Sequence, residues 1–313
     1  KFGIPMIEGN KDIIAGITDL TTEADAAESQ KDSYGKLQFF SDFSIAPSYL
    51  IQGTIDNSIP AWMNEDGTLN ENAVKEYLEQ VNRIWQTQKN AIEETKKAYQ
   101  MGDDWADSDH SGYMDISGSV TSLLAKVDTV AAGGLLSPEG LVSLDSARKV
   151  DPDLDYKLLN GQSENCFYPR SAVGVSAKAS EKEAAEKFVK FLFEEESQRA
   201  SNTEGLAVNS KVYEDMAYWK MGKSSGDTIG SIGASYDTGD GNIKQIEMDE
   251  IIPEDEAIQN IMDLGKTLTV PAKSNQIIRN AVTESGEKYL NGETGLDDAV
   301  KEIMQEVNLY LSE

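Results

Sequence analysis

The chain has 313 residues, and 55 acidic against 28 basic side chains give it a formal net charge of −27. This acidity argues against a nucleic-acid partner, because phosphates would be repelled. The hydrophobic content of 39% predicts a folded protein, and no apolar run reaches the length of a membrane span. The single cysteine, Cys166, excludes a disulfide framework and a thiolate metal cluster.

In the first half of the chain, aromatic residues within 36–53 predict a buried segment. A turn signal at 64–67 precedes a long helix over 70–98, where apolar residues recur at helical spacing and Trp85 falls on the apolar face. Residues 101–118 are dense in Asp, Ser and Gly and predict a loop. Residues 120–134 predict a helix followed by a strand over 127–132.

The acidic loop contains the first part of a calcium-binding pattern. Oxygen-bearing residues occupy alternate positions, with a glycine where the loop must turn sharply. The candidate ligands are Asp107, Asp109, Ser111, Tyr113 (through its carbonyl) and Asp115. Gly118 stands where such a loop has its bidentate Glu, so an ordinary Asp/Ser turn is the alternative.

The second half begins with a small, β-branched run, Val173–Ser176, which predicts a buried strand. Ser180 and Glu183 form a capping-box pattern, and apolar residues then follow at helical spacing, so a capped amphipathic helix is predicted. The Gly/Ser/Asp-rich residues 220–246 predict a linker or insertion. Three further helices are predicted near 254–264, 275–289 and 296–311, with Pro253 suited to the first position of the first of these.

The order of these motifs resembles bacterial extracellular solute-binding proteins of the sugar-binding type that serve ABC importers. The resemblance rests on residues 171–214 and on the closing segments 287–292, 296–300 and 307–313, together with Pro271. It implies a helix-rich α/β fold of the type II periplasmic-binding-protein kind. It also implies that the chain is mainly the C-terminal lobe and lacks most of the first lobe. We therefore expect a lobe core over 1–170 and, over 171–313, a lobe-crossing segment, the insertion and the last helices.

The resemblance places ligand contacts in three segments. They are the loop with Asp42 and Phe43, the strand end with Gly133 and Gly134, and the crossing with Asn165, Tyr168 and Arg170. Trp105 is added because sugars stack on aromatic faces. Leu135 and Leu136 stand where sugar binders of this family often carry a tryptophan.

The function that the resemblance implies is capture of a solute, a carbohydrate in view of the family type, and its delivery to an ABC permease by hinge closure without catalysis. The implied location is extracellular or periplasmic, with any membrane attachment through a lipid anchor. Two other functions remain open. One is a carbohydrate-active hydrolase that uses a pair of the 55 acidic residues, although sequence spacing does not show which two would lie at catalytic separation. The other is a calcium-stabilised surface module.

Overall fold

The computed structural model describes residues 8–9, 12–13, 47–98, 120–125, 137–154, 161–167, 172–200, 206–237, 242–273 and 275–311. These residues form a helix-rich α/β architecture in which the strands make three two-stranded sheets. In chain order the elements are β1 (Glu8–Gly9), β2 (Asp12–Ile13), α1 (Pro47–Thr54), α2 (Ile59–Trp62), α3 (Glu71–Ala98), α4 (Val120–Ala125), α5 (Pro138–Val150), β3 (Cys166–Phe167), α6 (Lys182–Leu192), α7 (Glu195–Ala200), α8 (Ser210–Tyr213), α9 (Met216–Trp219), β4 (Thr228–Asp237), β5 (Ile243–Ile251), α10 (Asp255–Lys266), β6 (Val270–Pro271), α11 (Gln276–Leu290) and α12 (Leu296–Leu311).

Polar side chains fix the starts of three helices, α3, α5 and α11. Asn70 accepts a hydrogen bond from a backbone N–H in the first turn of α3, Ser137 does the same for α5, and Asn275 caps α11. Each cap satisfies a donor that has no partner within its own helix. Among the described residues, no helix combines the length and apolarity needed to cross a membrane.

The largest hydrophobic cluster among the described residues joins residues 50–85 to residues 278–307, and we call the helices that build it the first unit. Helices α1, α2 and α3 supply one part of its core, and α11 and α12 supply the other. Trp62 and Tyr77 are fully buried at its centre, with their rings edge to face and their centroids 5.1 Å apart. The first unit is therefore built from residues that are distant in sequence.

Two smaller clusters lie on opposite parts of α5. We call the elements that build them, α4, α5, α9, β4, β5 and α10, the second unit. One cluster packs α4 and α5 against the antiparallel hairpin formed by β4 and β5, with Met248 in its core. The other packs Leu141 of α5 against Trp219 and the apolar face of α10. The second unit is thus inserted in the sequence between the two parts of the first.

Two tyrosines, the buried Tyr77 and the partly buried Tyr213, predict a loss of stability at alkaline pH. Burial raises the pKa of Tyr77 well above its usual range, and burial with the nearby Asp263 and Glu214 charges raises the pKa of Tyr213 to about 12. An unfolded tyrosine loses its proton near pH 10. Above that pH the unfolded chain binds fewer protons than the folded chain, so the free energy of unfolding falls as the pH rises from about 10 to 12.

Urea titrations at several pH values between 9 and 12 would measure this fall. The Tyr77→Phe variant should show a shallower decline than the wild type, because it has one fewer buried phenol. An equal decline in the two proteins would contradict the prediction.

The segment 172–193, which we call the arm, differs from its prediction. Val173–Ser176 forms no strand and is largely exposed. Helix α6 begins at Lys182 after Glu181, and Ser180 does not cap it. None of its residues is buried, and Phe188 is 59% exposed. The apolar face predicted from the sequence therefore exists, but it packs against little besides α7 among the described elements.

Residues 220–246 were predicted to be a linker or insertion, but most of them belong to the β4–β5 hairpin. Pro253 precedes α10 by two residues and is not its first residue. The long helix and the last three helices are present close to their predicted bounds. The strand predicted over 127–132 lies outside the described residues, and the division of the chain at residue 170 stays a prediction.

Candidate functional site

Two short parallel strands, β3 and β6, pair beside the first unit, and we call them the crossing. In the chain, β6 lies between α10 of the second unit and α11 of the first. Cys166 lies opposite Val270, and Phe167 lies opposite Pro271. Asn165 precedes β3 with a φ of 54°, a left-handed conformation that asparagine tolerates. This conformation lets its backbone oxygen accept hydrogen bonds from the N–H groups of Thr269 at 2.9 Å and Val270 at 3.1 Å.

Asp56, just after α1, ties the first unit to the crossing. Its backbone oxygen accepts a hydrogen bond from the N–H of Lys273 at 3.0 Å. Its carboxylate pairs with Arg279 of α11, whose Nη1 lies 2.6 Å from Oδ2, and both side chains are largely buried. Arg279 also reaches the backbone oxygen of Gln52, at 3.5 Å. A charged pair therefore lies beneath the end of the crossing.

Gln162 joins the segment before β3 to the core of the first unit. Its Oε1 accepts a hydrogen bond from the Trp62 indole N–H at 2.5 Å, and its Nε2 donates to the backbone oxygen of Ala73 at 2.8 Å. A side chain that uses both ends of its amide in this way fixes the position of its own backbone. Gln162 thus holds the segment that precedes β3 against α2 and α3.

Asn57 lies next to Asp56 and contacts the same segment. Its side chain is buried against Gly161, and its backbone oxygen lies 3.7 Å from the Cys166 Sγ, within reach of the thiol. Burial raises the pKa of the Cys166 thiol, with the Ser163 hydroxyl acting in the opposite direction. The thiol is therefore protonated at neutral pH and is suited to donating a hydrogen bond rather than to nucleophilic attack.

Together these residues form a polar surface at the crossing, made of amides, a hydroxyl, a thiol and one internally compensated ion pair. Asn165, Gln162 and Cys166 are half-buried, so the surface is in part open to solvent. Neutral donors and acceptors of this kind suit hydrogen bonds to a polar, uncharged molecule. The described residues contain no group of three or more His, Cys, Asp or Glu side chains arranged to hold a metal ion.

Of the ligand contacts predicted from the sequence, Asn165 lies in this surface. The others fall outside the described residues: Asp42, Phe43, Trp105, Gly133, Gly134, Tyr168 and Arg170. The five candidate calcium ligands, Asp107, Asp109, Ser111, Tyr113 and Asp115, also fall outside them. Both sets stay predictions.

Sequence reasoning missed Asp56, Asn57, Gln162 and Arg279. Asp56 and Asn57 lie between Ile55 and Ile59, and polar residues set among apolar ones are a usable signal for a buried polar site. For Arg279 the sequence offers no comparable signal, because its position on α11 reads as an ordinary polar helix face. Its contact with Asp56 depends on how α1 and α11 pack.

The family model for bacterial extracellular solute-binding proteins matches residues 6–199, which is more than half of the chain and includes the segment before β3, the arm and α7. The chain belongs to this family. It has no significant match among curated proteins. As a solute-binding protein, it belongs to a class that captures solutes outside the membrane for ABC importers and is generally non-catalytic.

Proposed function

We propose that this solute-binding protein captures a carbohydrate outside the cell membrane and delivers it to the permease of an ABC importer. The family match over residues 6–199 carries the proposal, since it accounts for capture and delivery. No covalent step is involved, and the chemistry is recognition of the solute followed by its release.

The carbohydrate class is proposed from charge and from the groups at the crossing. The net charge of −27 disfavours anionic solutes, which the whole chain would repel. The half-buried groups at the crossing, the Asn165 amide and the Cys166 thiol, are neutral, as the recognition of a polyol's hydroxyls requires. The undescribed residues Phe43, Trp105 and Tyr168 would add aromatic faces for stacking on a sugar ring.

Capture is proposed to occur by closure of this chain, as one lobe, against the first lobe that is proposed below, with the hinge at the crossing. The strands β3 and β6 are two residues long and pair in parallel. Short strands of this kind can change their backbone angles while packed lobes move as rigid bodies. The fold would then be of the type II periplasmic-binding kind.

The arm supports a further part of this proposal. Phe188, Phe191 and Phe193 are each about half exposed on or next to α6, and an apolar helix face normally packs against another layer. We propose that a first lobe outside these 313 residues covers that face in the intact protein. A lipid anchor on that part of the protein would hold it at the cell surface.

This proposal predicts weak binding by the 313-residue chain, because one wall of the cleft would be absent. Isothermal titration with maltotriose, xylotriose and cellotriose should give a dissociation constant in the millimolar range, with glutamate as an anionic control that does not bind. Sub-micromolar binding of a sugar to this chain would contradict the missing lobe. Binding of glutamate in preference to every sugar would contradict the carbohydrate class.

A further inference from the structure

The arm keeps a defined direction with little apolar packing to hold it. Helix α6 has no buried residue, and its Phe188 and Phe191 side chains are about half exposed. Its C-terminal end, however, is bonded to α7 and to the segment 208–215 through side-chain amides and ion pairs. We call this set of contacts the joint. The joint, rather than a hydrophobic core, ties the end of the arm to the rest of the described chain.

Gln198 of α7 bridges the two sides of the joint. Its Nε2 donates a hydrogen bond to the backbone oxygen of Leu192, the last residue of α6, at 2.9 Å. Its Oε1 accepts a hydrogen bond from the backbone N–H of Val208 at 3.0 Å. The last carbonyls of a helix have no partner within the helix, so the bond to Leu192 satisfies one of them. Both ends of the amide are used, which fixes the side chain in one orientation.

Asn209 makes a similar bridge from the other side of the joint. Its Nδ2 donates to the backbone oxygen of Phe193 at 2.9 Å, and its Oδ1 caps α8 by accepting from the N–H of Lys211 at 3.0 Å. Helix α8 is in turn held against α10, because the Tyr213 hydroxyl donates to the backbone oxygen of Met262 at 2.7 Å. The two amides therefore connect the end of α6 to a segment that is fixed on the second unit.

Two ion pairs flank these amides. The Arg199 Nη1 lies 2.5 Å from the Asp215 Oδ2. The Lys211 Nζ lies 2.8 Å from the Glu195 Oε1. All four side chains are partly or largely exposed, so solvent screens both pairs and they contribute little to holding the arm. The direction of the arm therefore depends mainly on the two amides.

We propose that Gln198 and Asn209 are positioning residues for lobe closure. They set the direction in which the arm leaves α8, and with it the angle at which a first lobe packed on the arm stands open before the solute binds. The inference rests on the proposed function, in which that lobe covers the apolar face of α6. Closure moves the lobe and strains the two amide bonds to the end of α6. These bonds therefore favour the open state until the solute supplies a larger interaction energy with the closed state.

The decisive variant combines Gln198→Glu with Asn209→Asp. Each substitution keeps the shape of the side chain and its acceptor oxygen, so the bonds to the segment 208–211 remain. Each removes the N–H donor that reaches the end of α6. Gln245→Glu combined with Asn260→Asp, at exposed positions of β5 and α10, is the matched control, because it adds the same charge outside the joint.

Spin labels on the 313-residue chain measure the direction of the arm. They are attached at Lys190→Cys on α6 and Glu256→Cys on α10, both exposed positions, after Cys166→Ser removes the sole native cysteine. Double electron–electron resonance should give a narrow distance distribution with the native joint and with the control. The distribution should be roughly twofold wider in the joint variant, because the end of α6 has lost two of its bonds. The melting temperatures of variant and control should agree, since both joint amides lie outside the hydrophobic clusters.

A wide distribution with the native joint, or an equally narrow one in the joint variant, would overturn the inference. In the protein that includes the first lobe, small-angle X-ray scattering without solute should give the joint variant a smaller radius of gyration than the control, because bonds that favour the open state are gone. Equal radii would contradict the role in closure. The label distances need neither a sugar nor a first lobe, so they decide whether the amides fix the arm even if the proposed function fails.

Discussion

Replacing Arg279 by alanine is expected to lower the free energy of unfolding of the first unit by about 3–5 kcal/mol. Its Nη1 lies 2.6 Å from the Asp56 Oδ2, and the two side chains are 15% and 7% exposed. Truncation leaves the Asp56 carboxylate buried without its counter-charge, and the Asp56 backbone also holds the end of the crossing at Lys273. Urea titration followed by tryptophan fluorescence measures the loss.

The matched control is Lys288→Ala. Lys288 pairs with Glu302 at 3.1 Å, but both side chains are about half exposed, so solvent screens the pair and little stability should be lost. The double variant Asp56→Leu with Arg279→Met should recover much of the loss, because it removes both charges together. If Arg279→Ala is no more destabilising than Lys288→Ala, the buried pair does not have the role given to it here.

Trp62→Ala is expected to lower the free energy of unfolding of the same unit by about 3–5 kcal/mol. The side chain is fully buried, its ring meets that of Tyr77 edge to face, and its indole N–H donates to Gln162. Alanine leaves a large cavity and also deprives Gln162 of the bond that holds the approach to the crossing. Chemical denaturation followed by circular dichroism is the suitable measurement, because the variant loses a fluorophore.

The Trp62→Phe variant separates packing from hydrogen bonding. It keeps an aromatic ring against Tyr77 but has no N–H for Gln162, so its loss should be clearly smaller than that of Trp62→Ala. Equal losses in the two variants would show that the hydrogen bond, rather than the buried volume, dominates at this position.

Helices with long apolar periodicity could be predicted from the sequence because the signal is local. Val74, Tyr77, Leu78 and Val81 recur on one face of α3, and all of them are buried. The β4–β5 hairpin was missed because its inward positions are not all apolar. Lys244 donates to the backbone oxygen of Ala125, and Glu250 accepts a hydrogen bond from Ser143, so charged residues take places that an alternation rule assigns to hydrophobic ones.

The candidate site was predicted only at Asn165. Asp56 and Arg279 are more than two hundred residues apart in the sequence, and their contact exists because α1 packs on α11. Asn57 meets Gly161 for a similar reason. No spacing rule connects such pairs, whereas Asn165 lies in the crossing segment where the family resemblance implies ligand contacts.

The arm shows a different kind of mismatch. Its periodicity was read correctly as an amphipathic helix, but an apolar face does not specify which layer covers it. Phe188 and Phe191 are exposed, so the prediction of an amphipathic helix was right, but the prediction that its apolar face packs in a core was wrong for the described residues.

The separation of the hydrophobic clusters has a consequence for cooperativity. The first unit encloses Trp62 and Trp85, while Trp219 belongs to the cluster around α10 in the second unit. Regions with separate cores and few shared contacts can open at different free energies. The chain is therefore expected to denature in more than one step, with these tryptophans reporting different steps. Each unit then has a stability of its own, and movement of one against the other leaves both cores intact.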